Sequence, residues 1–160
     1  MAITTLLQIK EKLGPYSKIV HEEFGYLDRR EDDAIPVHEI HEKICKDKVN
    51  GKIPRDDKTN RLELDEEKSE IYKAIRETLN LYEYVASGVH QGVFDKDIVA
   101  DLFRSNVIKT ASVFSAYIDH INHEMNPRCN GSIWVNLKTL GAEFKNNYRE
   151  GTKAGKRGPA

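Results

Sequence analysis

Two histidine pairs are the residues of this chain best spaced for chemistry: His38 with His41, and His120 with His123, each pair three positions apart. On a helix such a pair shares one side, and two pairs could complete a tetrahedral metal site. Helical geometry argues against it. At about 100° per residue, with the apolar face of segment 105–124 at zero, His120 and His123 fall near about 220° and about 160°, away from the core. His41 falls on the apolar face of its own segment, as a partly buried packing residue. His38-Glu39-Ile40-His41 is one residue short of the H-E-x-x-H zinc-protease motif, and neither pair carries the Glu-x-x-His of di-iron bundles. No metal and no cofactor is expected. Cys45 follows His41 by four positions and Glu42 by three, so a Cys–His contact is geometrically open, but a catalytic thiol also needs a lowered pKa and a cleft. With no G-x-S-x-G, P-loop or dinucleotide fingerprint, the expectation is a protein with no catalytic residues. Gly88-Val89-His90-Gln91-Gly92 reads as a tight connection between helices rather than as a phosphate loop.

Two polar features could bind instead. Counting from Ile71, the residues Arg76, Asn80, Glu83 and Ser87 lie between about 120° and about 180° on a long helix. That stripe borders the apolar face. It is either a solvated back or a surface shared with another chain, and these four are the candidate partner-binding residues. The loop 46–61 sets Lys46, Lys48, Lys52, Arg55, Lys58 and Arg61 against Asp47, Asp56 and Asp57, enough positive charge for a phosphate backbone. No aromatic residue interleaves there, so bases would have no stacking platform, and the loop reads as solvated and flexible.

The elements that must position these residues are helical. Leu6, Ile9 and Leu13 form one short apolar stripe, ended by Gly14-Pro15; Tyr16, Ile19 and Val20 form a second, stopped by Gly25. Asp28–Asp33 is a charge run that reads as a solvated linker, and Val37, Ile40 and Ile44 make a third short helix. Asn50-Gly51 between Val49 and Ile53 favours a tight turn, hence a small hairpin within 46–64. Asp65 is an N-cap for a long helix carrying Ile71, Ala74, Ile75, Leu79, Tyr82, Val85, Ala86 and Val89, broken by Gly88 and Gly92. Asp95 caps a short helix, Ser105 another that runs to Asn126-Pro127, and Ser132 a last one with Trp134, Leu137, Gly141, Phe144 and Tyr148 on its face. The predicted architecture is an all-α helical bundle over 62–149. Short helices precede it over 1–47, and a disordered basic tail follows over 150–160.

Composition sets the outer limits. The 160 residues carry 25 basic and 26 acidic side chains, a net charge of −1, and 39% hydrophobic residues, which suits a globular domain and excludes a histone-like coat or a nucleic-acid mimic. Without Lys153, Lys156 and Arg157 of the tail, the body stands at −4. The longest apolar stretch, Thr110–Ile118, is far short of the roughly 20 residues of a membrane span. The N-terminus has no basic region before a small-residue cleavage site, and Cys45 and Cys129 have no C-x-x-C spacing, so a cytoplasmic chain with reduced thiols is expected.

Residues 75–145 resemble an uncharacterised domain family of bacteria and their phages, often found behind an N-terminal membrane helix. The matching text is Ile75-Arg76, Leu79-Asn80, Glu83, Ala86, Gly88-Val89, Gly92-Val93 and Asp95, then Tyr117-Ile118 and Trp134-x-Asn136-x-x-x-Leu140. This chain departs from it in having no membrane helix and in carrying His123 near an expected arginine. The resemblance implies a helical architecture and no assigned reaction. Together these features point to a non-enzymatic protein-interaction or regulatory protein, possible phage origin adding inhibition of a host defence component. Another protein and a second copy in a homodimer are the expected partners, without a membrane. The alternative is a nucleic-acid binding or cleaving protein using the 46–61 loop and the tail.

Overall fold

The apolar stripe at the N-terminus does not stop at Gly14-Pro15. Leu6, Ile9, Leu13, Val20 and Phe24 are all buried, and the intervening Tyr16 is half-buried, so one 3.6-residue register runs through the proline. The computed structural model, which describes residues 2–125 and 133–156, accordingly has a single helix α1 over Ala2–Phe24 where two short ones were expected. Pro15 deprives one carbonyl of its helical donor, but it lies on the exposed side, where water can replace that bond. Five buried side chains at about 1.5–3 kcal/mol each outweigh the roughly 3 kcal/mol of an interior proline. Gly25, at φ +63°, ends the helix as expected, its N–H donating to the His21 carbonyl at 2.8 Å.

Five further helices follow: α2 (Val37–Ile44), α3 (Ser69–His90), α4 (Lys96–Val113), α5 (Ser115–His120) and α6 (Val135–Lys156). The fold is all-α; among the described residues only isolated β-bridges interrupt it. Helix α3 is the hub, packed on α1, α2, α4 and α6, and α1 docks along it. The apolar faces of α1 and α2 are thus covered within the chain. The charge run is also less solvated than expected. Arg29 is half-buried, donates to the Phe24 carbonyl at the end of α1 (2.9 Å) and pairs with Glu39 of α2 (3.2 Å).

Segment 46–64 is a largely exposed excursion held by two turns and by backbone hydrogen bonds at its base. Asn50 (φ +53°) and Gly51 (φ +76°) make the expected turn, with Val49 and Lys52 exchanging backbone hydrogen bonds. A second turn is pinned by the Asp56 carboxylate, which accepts from the Lys58 and Thr59 N–H groups. Lys46 N–H to the Glu63 carbonyl (2.9 Å) and Asp65 N–H to the Ile44 carbonyl (3.0 Å) close its base. Lys68, at the start of the next helix, donates to the carbonyls of Glu42 and Cys45, completing the C-terminus of α2 from 26 residues away.

Three expected breaks sit elsewhere. Ser105 is an exposed mid-helix residue of α4, because Val99, Ala100, Phe103, Val107 and Ile108 keep one buried register through it; the break falls at Phe114 instead. Helix α6 continues to Lys156, into the segment expected to be a disordered tail, since extending an existing helix requires no new nucleus. Gly88 lies inside α3; only Gly92, at φ +76°, ends the turn. The expected Asn126-Pro127 stop, the Ser132 cap, Cys129 and the side chain of Tyr148 lie outside the described residues. Asp65 and Asp95 cap as expected, Asp95 accepting from the N–H groups of Asp97 and Ile98.

Gly88 is in α3 because Phe94 folds back over it: a Cβ there would stand 2.2 Å from Phe94 Cδ2. The buried Phe94 ring is held edge-on by Tyr84, with 5.8 Å between centroids. Helix propensity alone favours Gly88→Ala by about 1 kcal/mol. We expect the opposite sign, a loss of about 1–3 kcal/mol from overpacking. A melting curve at or above wild type would show that the ring has room to turn.

Candidate phosphoryl-binding cleft

The excursion 46–64 folds over the junction of α2 and α5, and a cleft of about 520 Å³ lies beneath it. One wall is the excursion itself, contributing Lys48, Lys52 and Arg55; the other is His41 of α2 and His120 of α5. The Arg55 guanidinium is oriented by a bond to the Asn60 carbonyl (2.8 Å), and Lys48 stands 4.0 Å from Glu42 on the rim. Ile53 and Leu62 supply apolar surface. No acidic residue is among the described residues lining this cleft. A concavity of one sign focuses its field and concentrates anions, and arginine and lysine are the usual ligands of phosphoryl oxygens.

The two imidazoles are in ring contact, centroids 5.1 Å apart and planes at 67°. Periodicity placed His120 away from the core. It is half-buried against α2 even though the buried face, Val107, Thr110, Phe114, Tyr117 and Ile118, runs on through Phe114, because α2 packs on α5 beside that face. His38 and His123, their i, i+3 neighbours, are exposed and take no part. Among the described residues no group of three or more His, Cys, Asp or Glu is gathered as metal ligands.

Behind the two histidines lies a smaller cavity of about 140 Å³, which shares His41, His120 and Leu62 with the cleft. Ile44, Leu62 and Leu64 form its apolar wall, with Tyr72, Tyr117, Cys45 and Arg61 beside them. The Cys45 thiol is buried, which raises its pKa despite the opposing charge of Lys68, so it is a poor nucleophile at neutral pH. Tyr117 is likewise pushed up by burial and stays a neutral phenol.

The four stripe residues make contacts within the chain. Arg76 lies over the Tyr72 ring at 5.6 Å. Asn80 accepts from the Trp134 indole N–H at 2.8 Å, and Trp134 stacks on Tyr117 with planes at 28°. Glu83 accepts from the N–H groups of Asn136 (2.8 Å) and Leu137 (3.1 Å), capping α6 from a different helix. Ser87 accepts from the Gln91 side chain at 3.1 Å. Thus, of the residues that carry the resemblance, Asn80 meets Trp134 and Glu83 meets Asn136, while Arg76 contacts Tyr72 and Trp134 contacts Tyr117. The Gly88–Gly92 segment is the tight connection expected, its Val93 and Phe94 N–H groups both spent on the Gly88 carbonyl.

Periodicity missed the cleft because its parts come from separate segments. The basic loop and His41 were both visible. Their convergence with Tyr72 and Tyr117, 27 and 72 residues beyond Cys45 in the chain, was not.

The family model described as Domain of unknown function (DUF4760) matches residues 25–144, from the glycine that ends α1 to the middle of α6. No curated protein and no solved structure matches the chain.

Proposed function

We propose that this chain, which belongs to the DUF4760 family, works by binding rather than by catalysis and recognises a phosphoryl-type anion in the cleft under the 46–64 excursion. The observation that carries the reading is the lining: Lys52, Arg55, two imidazoles and Lys48, the last paired with Glu42 on the rim, converge with no carboxylate among the described lining residues, on a chain of net charge −1. The protonated, buried Cys45 thiol supports a role without a nucleophile. In a regulatory protein the anion would belong to the controlled partner, and in a phage-derived inhibitor to a host component. A partner protein has a second foothold in Tyr84, Val93 and Ile98, apolar and exposed beside the α3–α4 turn, and a homodimer would use the same residues.

Titration calorimetry with inorganic pyrophosphate at low salt tests the anion site. Binding is expected, weakening steeply with added salt, and the exposed pair Lys52→Ala/Arg55→Ala should lower the affinity by about tenfold or more. Failure of wild type to bind, or an unchanged double variant, rejects the cleft as the site.

One observation favours a second reading, cleavage of nucleic acid. Two touching imidazoles beside cationic groups are the parts needed to move a proton on and off a phosphodiester. Incubation with a labelled single-stranded RNA decides it: cleavage lost in His41→Ala, with binding retained, establishes the reaction, and intact RNA dismisses it.

A further inference from the structure

The cleft and the cavity behind it share His41, His120 and Leu62 in their walls, so these three side chains are what lies between them. Their walls differ in chemistry. The outer part offers Lys48, Lys52 and Arg55; the inner part offers aliphatic surface with phenol, imidazole and guanidinium groups at its edge. A ligand that satisfies both must join an anionic end to a compact ring system with polar edges. An acyl chain fails the second condition, since it would leave those polar edges unpaired. A bare phosphate fails it too, leaving the apolar wall wet. The inner cavity, at about 140 Å³, is too small for a whole drug-sized ligand, whose pockets run from roughly 300 to 1,000 Å³, while cleft and cavity together fall inside that range.

We infer that the two parts form one nucleotide site, with the phosphoryl groups among Lys48, Lys52 and Arg55 and the base in the cavity beside Tyr72 and Tyr117. The inference rests on the anion reading of the cleft and adds the ring. It also gives the basic loop an aromatic neighbour from outside itself, the half-buried Tyr72 of α3. The residues that contact the two tyrosines acquire a purpose here. Arg76 against Tyr72, and Trp134 against Tyr117, hold the inner wall, so the wall is set before a ligand arrives.

Calorimetry on the full chain with ADP, GDP, CDP, UDP and pyrophosphate tests this. At least one nucleoside diphosphate should bind about tenfold tighter than pyrophosphate. Leu64→Trp, which fills the inner cavity from an exposed position, should erase that advantage and leave pyrophosphate binding intact; Tyr72→Ala should do the same by removing the wall. Lys52→Ala/Arg55→Ala should weaken both classes of ligand. Pyrophosphate bound as tightly as every nucleotide overturns the two-part site and leaves the anion cleft standing, whereas no binding by any of the five overturns both. Competition with a short single-stranded RNA tells a free nucleotide from one within a nucleic acid: displacement of ADP by RNA at lower concentration assigns the polymer, and its failure to displace ADP assigns the free form, either result sustaining the site.

Discussion

A chain begun at Gly25, lacking α1, is expected to lose cooperative folding. The five buried side chains of α1 contribute about 7–15 kcal/mol of apolar burial at about 1.5–3 kcal/mol each. The whole stability of a domain is only about 5–15 kcal/mol. Their removal also uncovers the side of α3 on which α1 lies. The truncated chain should therefore give a broad, non-cooperative thermal transition and bind a hydrophobic dye. The comparison is pointed because the family match starts at residue 25, so α1 is the part of this fold outside it. A sharp transition close to the full-length midpoint would show that residues 25–144 stand alone and that α1 is an accessory. Light scattering on the same samples answers the question of assembly, since a truncated chain that survives only as a dimer would mean that the uncovered face has found a second copy.

Trp134→Ala is expected to cost about 3–5 kcal/mol, or a fall in melting temperature of about 6–20 °C for a chain of this size. The indole is buried, stacked on Tyr117 and bonded through its N–H to Asn80. Trp134 is held at φ +57°, a left-handed conformation that a residue with a Cβ adopts at a cost of about 1–2 kcal/mol, so the docking of the ring offsets backbone strain as well as filling space. The next residues open α6, whose first N–H groups reach Glu83. Loss of the indole thus removes the anchor that sets α6 against α3. Trp134→Phe separates the contributions: it keeps a ring against Tyr117 and leaves Asn80 without its donor, and about 1 kcal/mol of the loss should persist. Wild-type melting in Trp134→Ala would mean that Glu83 alone positions the helix.

Much of this molecule is legible from residue order because its signals are local. Asp65 and Asp95 announce helix starts by accepting from N–H groups two or three residues on, Gly25 and Gly92 announce stops by tolerating positive φ, and Asn50-Gly51 announces its turn. The all-α class and the buried faces of α3 and α6 follow from a 3.6-residue period that needs nothing beyond the helix itself. Where two local signals conflict, as at Gly14-Pro15, burial along a neighbouring helix outweighs the break, and that neighbour is unknown until the chain is folded.

The candidate site is of the opposite kind. The charge of 46–61 and the presence of His41, Cys45 and His120 are properties of the sequence alone, as is the text Arg76, Asn80, Glu83 and Trp134. Which of them meet was decided by tertiary structure. The packing of α2 on α5 brought His120 onto His41, the hydrogen-bonded base of the excursion laid the cations over both, and Asn80 and Glu83 met Trp134 and the start of α6. Periodicity measures angles within one unbroken helix; it carries no information across a break, and contacts 50 residues apart depend on how whole helices pack.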